Sequence, residues 1–134
     1  MKTRFTVVLS MLAGAALGGG AIQALHAQAT PPVYYLAEID VTNPDAYATE
    51  YAPKAQAIIK AAGGRFLALG GVAGTGAKPI ATFDGEPPKR FAVLAWDSME
   101  KIKAWRANPE YIEARKIGEK YAKFRSFAIE GLPQ

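Results

Sequence analysis

Chemistry in this chain must come from carboxylates, cations and aromatic rings, because the commonest catalytic groups are scarce. None of the 134 residues is cysteine, which removes thiol nucleophiles, disulfides and thiolate metal sites. The single histidine, His26, lies in a stretch with the marks of a removable leader. The working protein would then lack the usual general base and the usual metal ligand. Glu38 and Asp40 stand two apart on one strand face. If one of them sat in an apolar pocket they could share acid–base work, although such a pair more often lines a solvated strand edge. Arg65 opens a strand directly after a helix stop, where it could clamp an anion. Its structural alternative is an ion pair with Asp97 or Glu38. Tyr34, Tyr35, Trp96 and Tyr111 combine apolar bodies with polar tips and could wall a cavity for a flat ligand; they would equally serve as plain core.

The sharpest candidate site lies where the second helical region breaks in two, between Trp105 and Tyr111. Trp96, Trp105 and Tyr111 supply apolar walls there, and Arg65 and Arg115 are the nearest cations for an anionic group. An apolar pocket with a few polar groups is the usual form of a small-molecule site, so a ligand is expected in the cleft between the sheet and the helix starting at Pro109. Arg115, Lys116, Lys120, Lys123 and Arg125 form a basic run with Tyr121 and Phe124 interleaved. Nucleic acid or anionic lipid could use such a run, but a solvated helix face is its default meaning, and no nucleic-acid partner is expected. A metal site is not expected either: histidine and cysteine are lacking, and no Asp-x-Asp spacing suits calcium. The glycine-rich stretch from Gly70 to Gly76 invites a phosphate-loop reading. Ala77 stands where a Walker loop needs lysine, and Pro79 where a dinucleotide fingerprint needs its last glycine, so a hairpin connection is expected.

These side chains are positioned by a simple succession of elements. Val33–Val41 alternates as a strand, with Val33, Tyr35, Ala37, Ile39 and Val41 on one face and Tyr34, Leu36, Glu38 and Asp40 on the other. Asn43-Pro44-Asp45 starts a helix as cap, first-turn proline and dipole-matched acid. The helix should run to about Ala62 with Tyr47, Tyr51, Ala55, Ile58, Ile59 and Ala62 as its buried stripe. Pro53 should kink it near Thr49. Gly63-Gly64 stops it, and Arg65 to Leu69 follows as a strand. Pro79 to Phe83 is a candidate short strand. Phe91 to Trp96 is apolar on both faces, so both should be covered. Asp97-Ser98-Met99-Glu100 caps a helix carrying Ile102 and Trp105, and Asn108-Pro109-Glu110 starts another. Phe124 to Glu130 is the last strand, with Phe127 and Ile129 on one face. The order strand, helix, strand, strand, helix, strand is the ferredoxin-like βαββαβ pattern, an α+β fold with an antiparallel sheet. Its two helical regions cover one sheet face. The other is left for solvent or a partner, and a homodimer is the commonest solution.

The first 29 residues look like an export signal. Lys2 and Arg4 precede an apolar run from Phe5 to Leu17, glycines break it at Gly18, Gly19 and Gly20, and Ala27-Gln28-Ala29 fits a cleavage site. The alternative is an uncleaved anchor through residues 5–25, which carry no charge and are long enough to span a bilayer. The expectation is therefore a signal peptide over residues 1–29 and a single domain over residues 30–134, periplasmic or secreted, without stable membrane insertion after cleavage. Without Lys2 and Arg4 the basic side chains fall from 16 to 14 against 12 acidic ones, a net charge of +2, which argues against a polyanionic partner.

From about Val33 to Gly131 the chain resembles the domain of unknown function family numbered 1330, within the dimeric α+β barrel superfamily. The resemblance rests on an ordered series: Asn43-Pro44-Asp45-x-Tyr47-x-x-x-Tyr51, Gly63-Gly64-Arg65-Phe66-Leu67, Glu86-x-Pro88-Lys89-Arg90, Asp97-Ser98 before Trp105, Pro109-Glu110-Tyr111 and Glu130-Gly131. The connection from Gly70 to Gly85 is longer than is usual for that family. The resemblance implies a dimeric α+β barrel and no catalytic residues, since the family has no established reaction. Two functions follow as expectations: a small-ligand binding module of the cell envelope, or a cofactor-independent enzyme of monooxygenase or isomerase type, as some members of the superfamily are. No cofactor is expected in either. A buried polar pair with a shifted pKa, inside a closed apolar pocket, would favour the enzyme.

Overall fold

The computed structural model describes residues 30–71 and 76–134. The leader and anchor readings, and the centre of the glycine-rich stretch, lie outside the described residues. The strands are β1 (Val33–Val41), β2 (Arg65–Gly70), β3 (Arg90–Trp96) and β4 (Ala122–Glu130). They form one sheet in the order β2-β3-β1-β4, every neighbouring pair antiparallel. With its helices this makes an α+β, ferredoxin-like fold. Pleating sends alternate side chains to opposite faces, and Val33, Tyr35, Ala37 and Ile39 of β1 join Ala92, Leu94 and Trp96 of β3 in one buried cluster with the helices.

The first helical region has three parts: α1 (Pro44–Ala46), a π turn (Tyr47–Tyr51) and α2 (Ala52–Ala62). Asn43 caps its start, its side chain accepting from the Ala46 N–H at 3.2 Å. Pro53 is the reason for the middle part. It has no N–H for the carbonyl four residues back, and its ring crowds that carbonyl. The kink expected near Thr49 takes the form of a wider turn, in which the Ala52 N–H reaches the Tyr47 carbonyl. Gly63 ends α2 with φ +105°, the left-handed backbone that glycine adopts without a Cβ penalty. Gly64 allows a close approach instead: a Cβ there would sit 2.6 Å from Ile59 Cγ2 and 2.7 Å from Trp96 Cζ2.

Ser98 caps α3 (Met99–Ala107), accepting from the Lys101 N–H at 3.2 Å. Asn108 then ends α3 and caps α4 (Pro109–Gly118), its side chain accepting from the Glu110 N–H at 3.0 Å. The break between Trp105 and Tyr111 is thus a capped corner. The strand expected over Pro79 to Phe83 does not form. Among its described residues the connection makes a single bridge, Lys78 with Gly70, because Pro79 cannot donate to a ladder and Phe83 projects outward, 91% exposed. Among the described residues no helix is long and apolar enough to cross a membrane.

Candidate functional site

Between the sheet and the helices lies a chamber of about 60 Å³, partly open to the surface. β1 contributes Tyr35, Ala37 and Ile39 to its floor; β3 contributes Arg90, Ala92 and Leu94; β4 contributes Phe124 and Ser126. Its roof is Tyr47 and Tyr51 from the π turn, Ala55 and Ile59 from α2, Trp105 from α3, and Tyr111 and Arg115 from α4. On the β2 side it ends at Gln56, Phe66 and Leu69, which also line an outer hollow of about 390 Å³ together with Lys60 and Lys78. The shared residues mark the mouth.

Aromatic rings set the geometry. Trp96 stacks on Trp105 at 5.0 Å, Trp105 meets Tyr111 at 4.5 Å, and Tyr35 stands edge-on to Trp105 at 5.0 Å. On the other side Tyr47, Tyr51 and Phe124 form a second cluster, with Tyr51 5.7 Å from Phe124 and 5.2 Å from Tyr47. Gly118 lets α4 approach that cluster, since a Cβ there would meet the Tyr51 ring at 2.8 Å.

Two cations enter this apolar space. Arg90 is only 6% exposed and holds its guanidinium 5.3 Å from the Tyr47 ring centre. Arg115 holds its guanidinium carbon over Phe124, 3.6 Å from the ring centre, donates to the Tyr111 hydroxyl at 3.3 Å, and has Nε 3.5 Å from Glu119 Oε1. That last contact is ionic without hydrogen-bond geometry, and the buried Nε has no hydrogen-bond partner. The buried indole N–H of Trp105 has none either. Burial pushes the Tyr47 hydroxyl pKa up, and the Arg90 charge only partly offsets it. Tyr51 is pushed up by burial and further by Tyr111, both as a neighbour and as a hydrogen-bond partner. Both phenols are therefore neutral across the physiological range. The arrangement offers neutral hydroxyls, two fixed positive charges and flat apolar walls.

Of the five candidates from the sequence, Trp105, Tyr111 and Arg115 line the chamber, and Arg65 and Trp96 do not. Arg65 stands at the sheet edge and donates to Asp97 at 2.9 Å, the structural role weighed for it. Trp96 is wholly buried behind Trp105. Tyr35 lines the chamber; Tyr34 does not. Glu38 and Asp40 pair with Arg125 and Lys89, each at 3.1 Å, rather than with a pocket. The basic run divides: Arg115 turns inward, while Lys116 pairs with Glu113 at 2.8 Å and Arg125 with Glu38. Sequence reasoning did not assign Arg90, Tyr47, Tyr51 or Phe124 to the site. For Arg90 a signal existed, because it shares the strand parity of Ala92, Leu94 and Trp96 and so faces inward.

Fold and chamber together define a ferredoxin-like α+β domain with a small aromatic and cationic pocket. The chain belongs to the family described as Domain of unknown function (DUF1330), whose model matches residues 32–132. Comparison with curated proteins finds no match. Among solved structures it is similar to a protein of unknown function from Rhodopseudomonas palustris, at 17% identity and a TM-score of 0.56, covering 84% of this chain and 92% of that one. The methylated form of that protein matches at the same identity with a TM-score of 0.54, covering 84% of this chain and 90% of that one. The chain is also similar to SnoaB, a cofactor-independent oxygenase from Streptomyces nogalater, at 9% identity and a TM-score of 0.55, covering 78% and 96%. Likeness at these identities is likeness of fold.

Proposed function

We propose that this domain is a binding module for a small, largely apolar organic molecule, held in the chamber between sheet and helices, and that it works in the cell envelope as a homodimer. One observation carries the binding reading: apolar and aromatic walls enclose a space into which two arginines and four tyrosines converge. Apolar walls with a few convergent polar groups are the usual form of a small-molecule site. The export-type N-terminus supports the location, and the outward apolar residues of the sheet support the dimer.

A second reading is favoured by a separate observation. Tyr51 and Tyr111 form a buried polar pair beside Arg115, with the Tyr51 pKa raised. A cofactor-independent enzyme acting on a small organic substrate would need such a pair to hold or pass a proton. The fold likeness to SnoaB agrees with that reading without carrying it.

Native mass spectrometry of protein purified from its own host tests both. The expected result is a small organic mass retained by the chain and lost from Ala55→Trp, which fills the chamber. Recovery of that molecule unchanged after incubation with fresh protein supports the module; its conversion supports the enzyme. An unliganded protein, together with no thermal shift from small aromatic probes, overturns the binding reading.

A further inference from the structure

The chamber holds two buried donors that no described acceptor meets. Its described lining contains arginines, tyrosines, a glutamine, a serine and a tryptophan, and no aspartate or glutamate. The buried side-chain atoms left without a hydrogen-bond partner among the described residues are the Trp96 and Trp105 indole nitrogens and Arg115 Nε. All three are donors, and two belong to residues that line the chamber. Buried donors are normally satisfied, and one left unmet costs stability. Those two donors are what a ligand's acceptor would meet.

We infer that the ligand of this chamber is an organic monoanion, a carboxylate on a flat apolar body, whose oxygens face Arg115, Tyr111 and Trp105 while its body points toward Gln56, Phe66 and Leu69. This rests on the binding reading above. The Arg115 guanidinium carbon lies 3.6 Å from the Phe124 ring centre, Glu119 approaches its Nε at 3.5 Å without meeting it as a hydrogen bond, and a planar fork of N–H groups suits a carboxylate. Tyr111 takes a hydrogen bond from Arg115, which holds its hydroxyl beside the guanidinium. The chamber's size fits the head of such a molecule, with the outer hollow on the β2 side receiving what exceeds it.

The test is calorimetric titration with sodium benzoate, benzamide and toluene, three probes of similar shape that differ in charge and acceptors. Benzoate is expected to bind about tenfold tighter than benzamide, with toluene weakest, since a hydrogen bond to a charged group exceeds one between neutral groups. In Arg115→Gln benzoate and benzamide should come within about twofold of each other, while Arg115→Lys keeps part of the preference as a point charge. If Arg115→Gln does not fold, Arg115→Lys and Trp105→Phe carry the test, each selectively weakening benzoate. Benzamide or toluene binding as tightly as benzoate overturns the inference and leaves the binding module standing. Failure of all three probes to bind overturns the inference, and together with an unliganded native mass it overturns the binding reading as well.

Discussion

The inner and outer faces of the sheet come from the same four strands and are finished in opposite ways. On the inner face the helices close over the alternating residues, and Trp96 is 0% exposed. On the outer face Phe127 is 51% and Ile129 60% exposed, opposite Leu36 and Tyr34 in the β1–β4 register, with Glu38–Arg125 and Asp40–Lys89 ion pairs further along. The inner face is closed within one chain and keeps a small chamber. The outer face has apolar surface that one chain does not cover, and this surface is what the proposed dimer would bury.

Trp96→Ala is the strongest way to break this contrast. Removing a fully buried tryptophan from the Trp105 stack is expected to cost about 3–5 kcal/mol in urea unfolding. A loss below about 1 kcal/mol would mean that the inner face is not the core. Next, the proposed dimer predicts that Phe127→Glu with Ile129→Glu yields a single-chain mass by light scattering while the domain stays folded. The unfolding midpoint should depend on protein concentration in the parent and not in the variant. A parent that already has the mass of one chain would remove the outer face as an interface.

The smallest effect belongs to the sheet edge, where Asp97 meets Arg65 at 2.9 Å and Lys101 at 3.3 Å. Hydrogen bonds from Arg65 and then Lys101 hold its carboxyl below the ordinary carboxylate range. A depressed folded-state pKa adds stability above the unfolded value, near pH 4, and that stability is lost as pH falls through the folded value. Asp97→Asn should therefore lower stability slightly at neutral pH and match the parent in strong acid. Salt should shrink the difference, because the pair is exposed. A gap that persists unchanged into acid would mean that Asp97 acts through something other than its charge.

Much of the fold was legible because its signals are local. Asn43, Ser98 and Asn108 cap helices through their own side chains, Gly63 stops α2 through its own φ, and the alternation of β1 names its buried face residue by residue. The site was legible in part. The capped corner at Asn108 brought Trp105, Tyr111 and Arg115 to one place, as their spacing implied. Arg65 failed to join them because it is paired with Ala95 in register and so points to the other face, where Asp97 meets it.

By itself the sequence determined the order of elements, their ends and the inward parity of each strand, since caps, turns and pleating depend on neighbours a few residues away. Only the tertiary structure decided which inward side chains enclose a space. Tyr47 and Tyr51 read as an ordinary core stripe until the π turn forced by Pro53 and the close approach of Gly118 brought them over Phe124 and beside Arg115. Arg90 became a chamber residue only when β3 paired with β1 beneath that turn. A cavity is what remains after elements from distant parts of the chain have packed, so its lining is set by contacts that no local stretch contains.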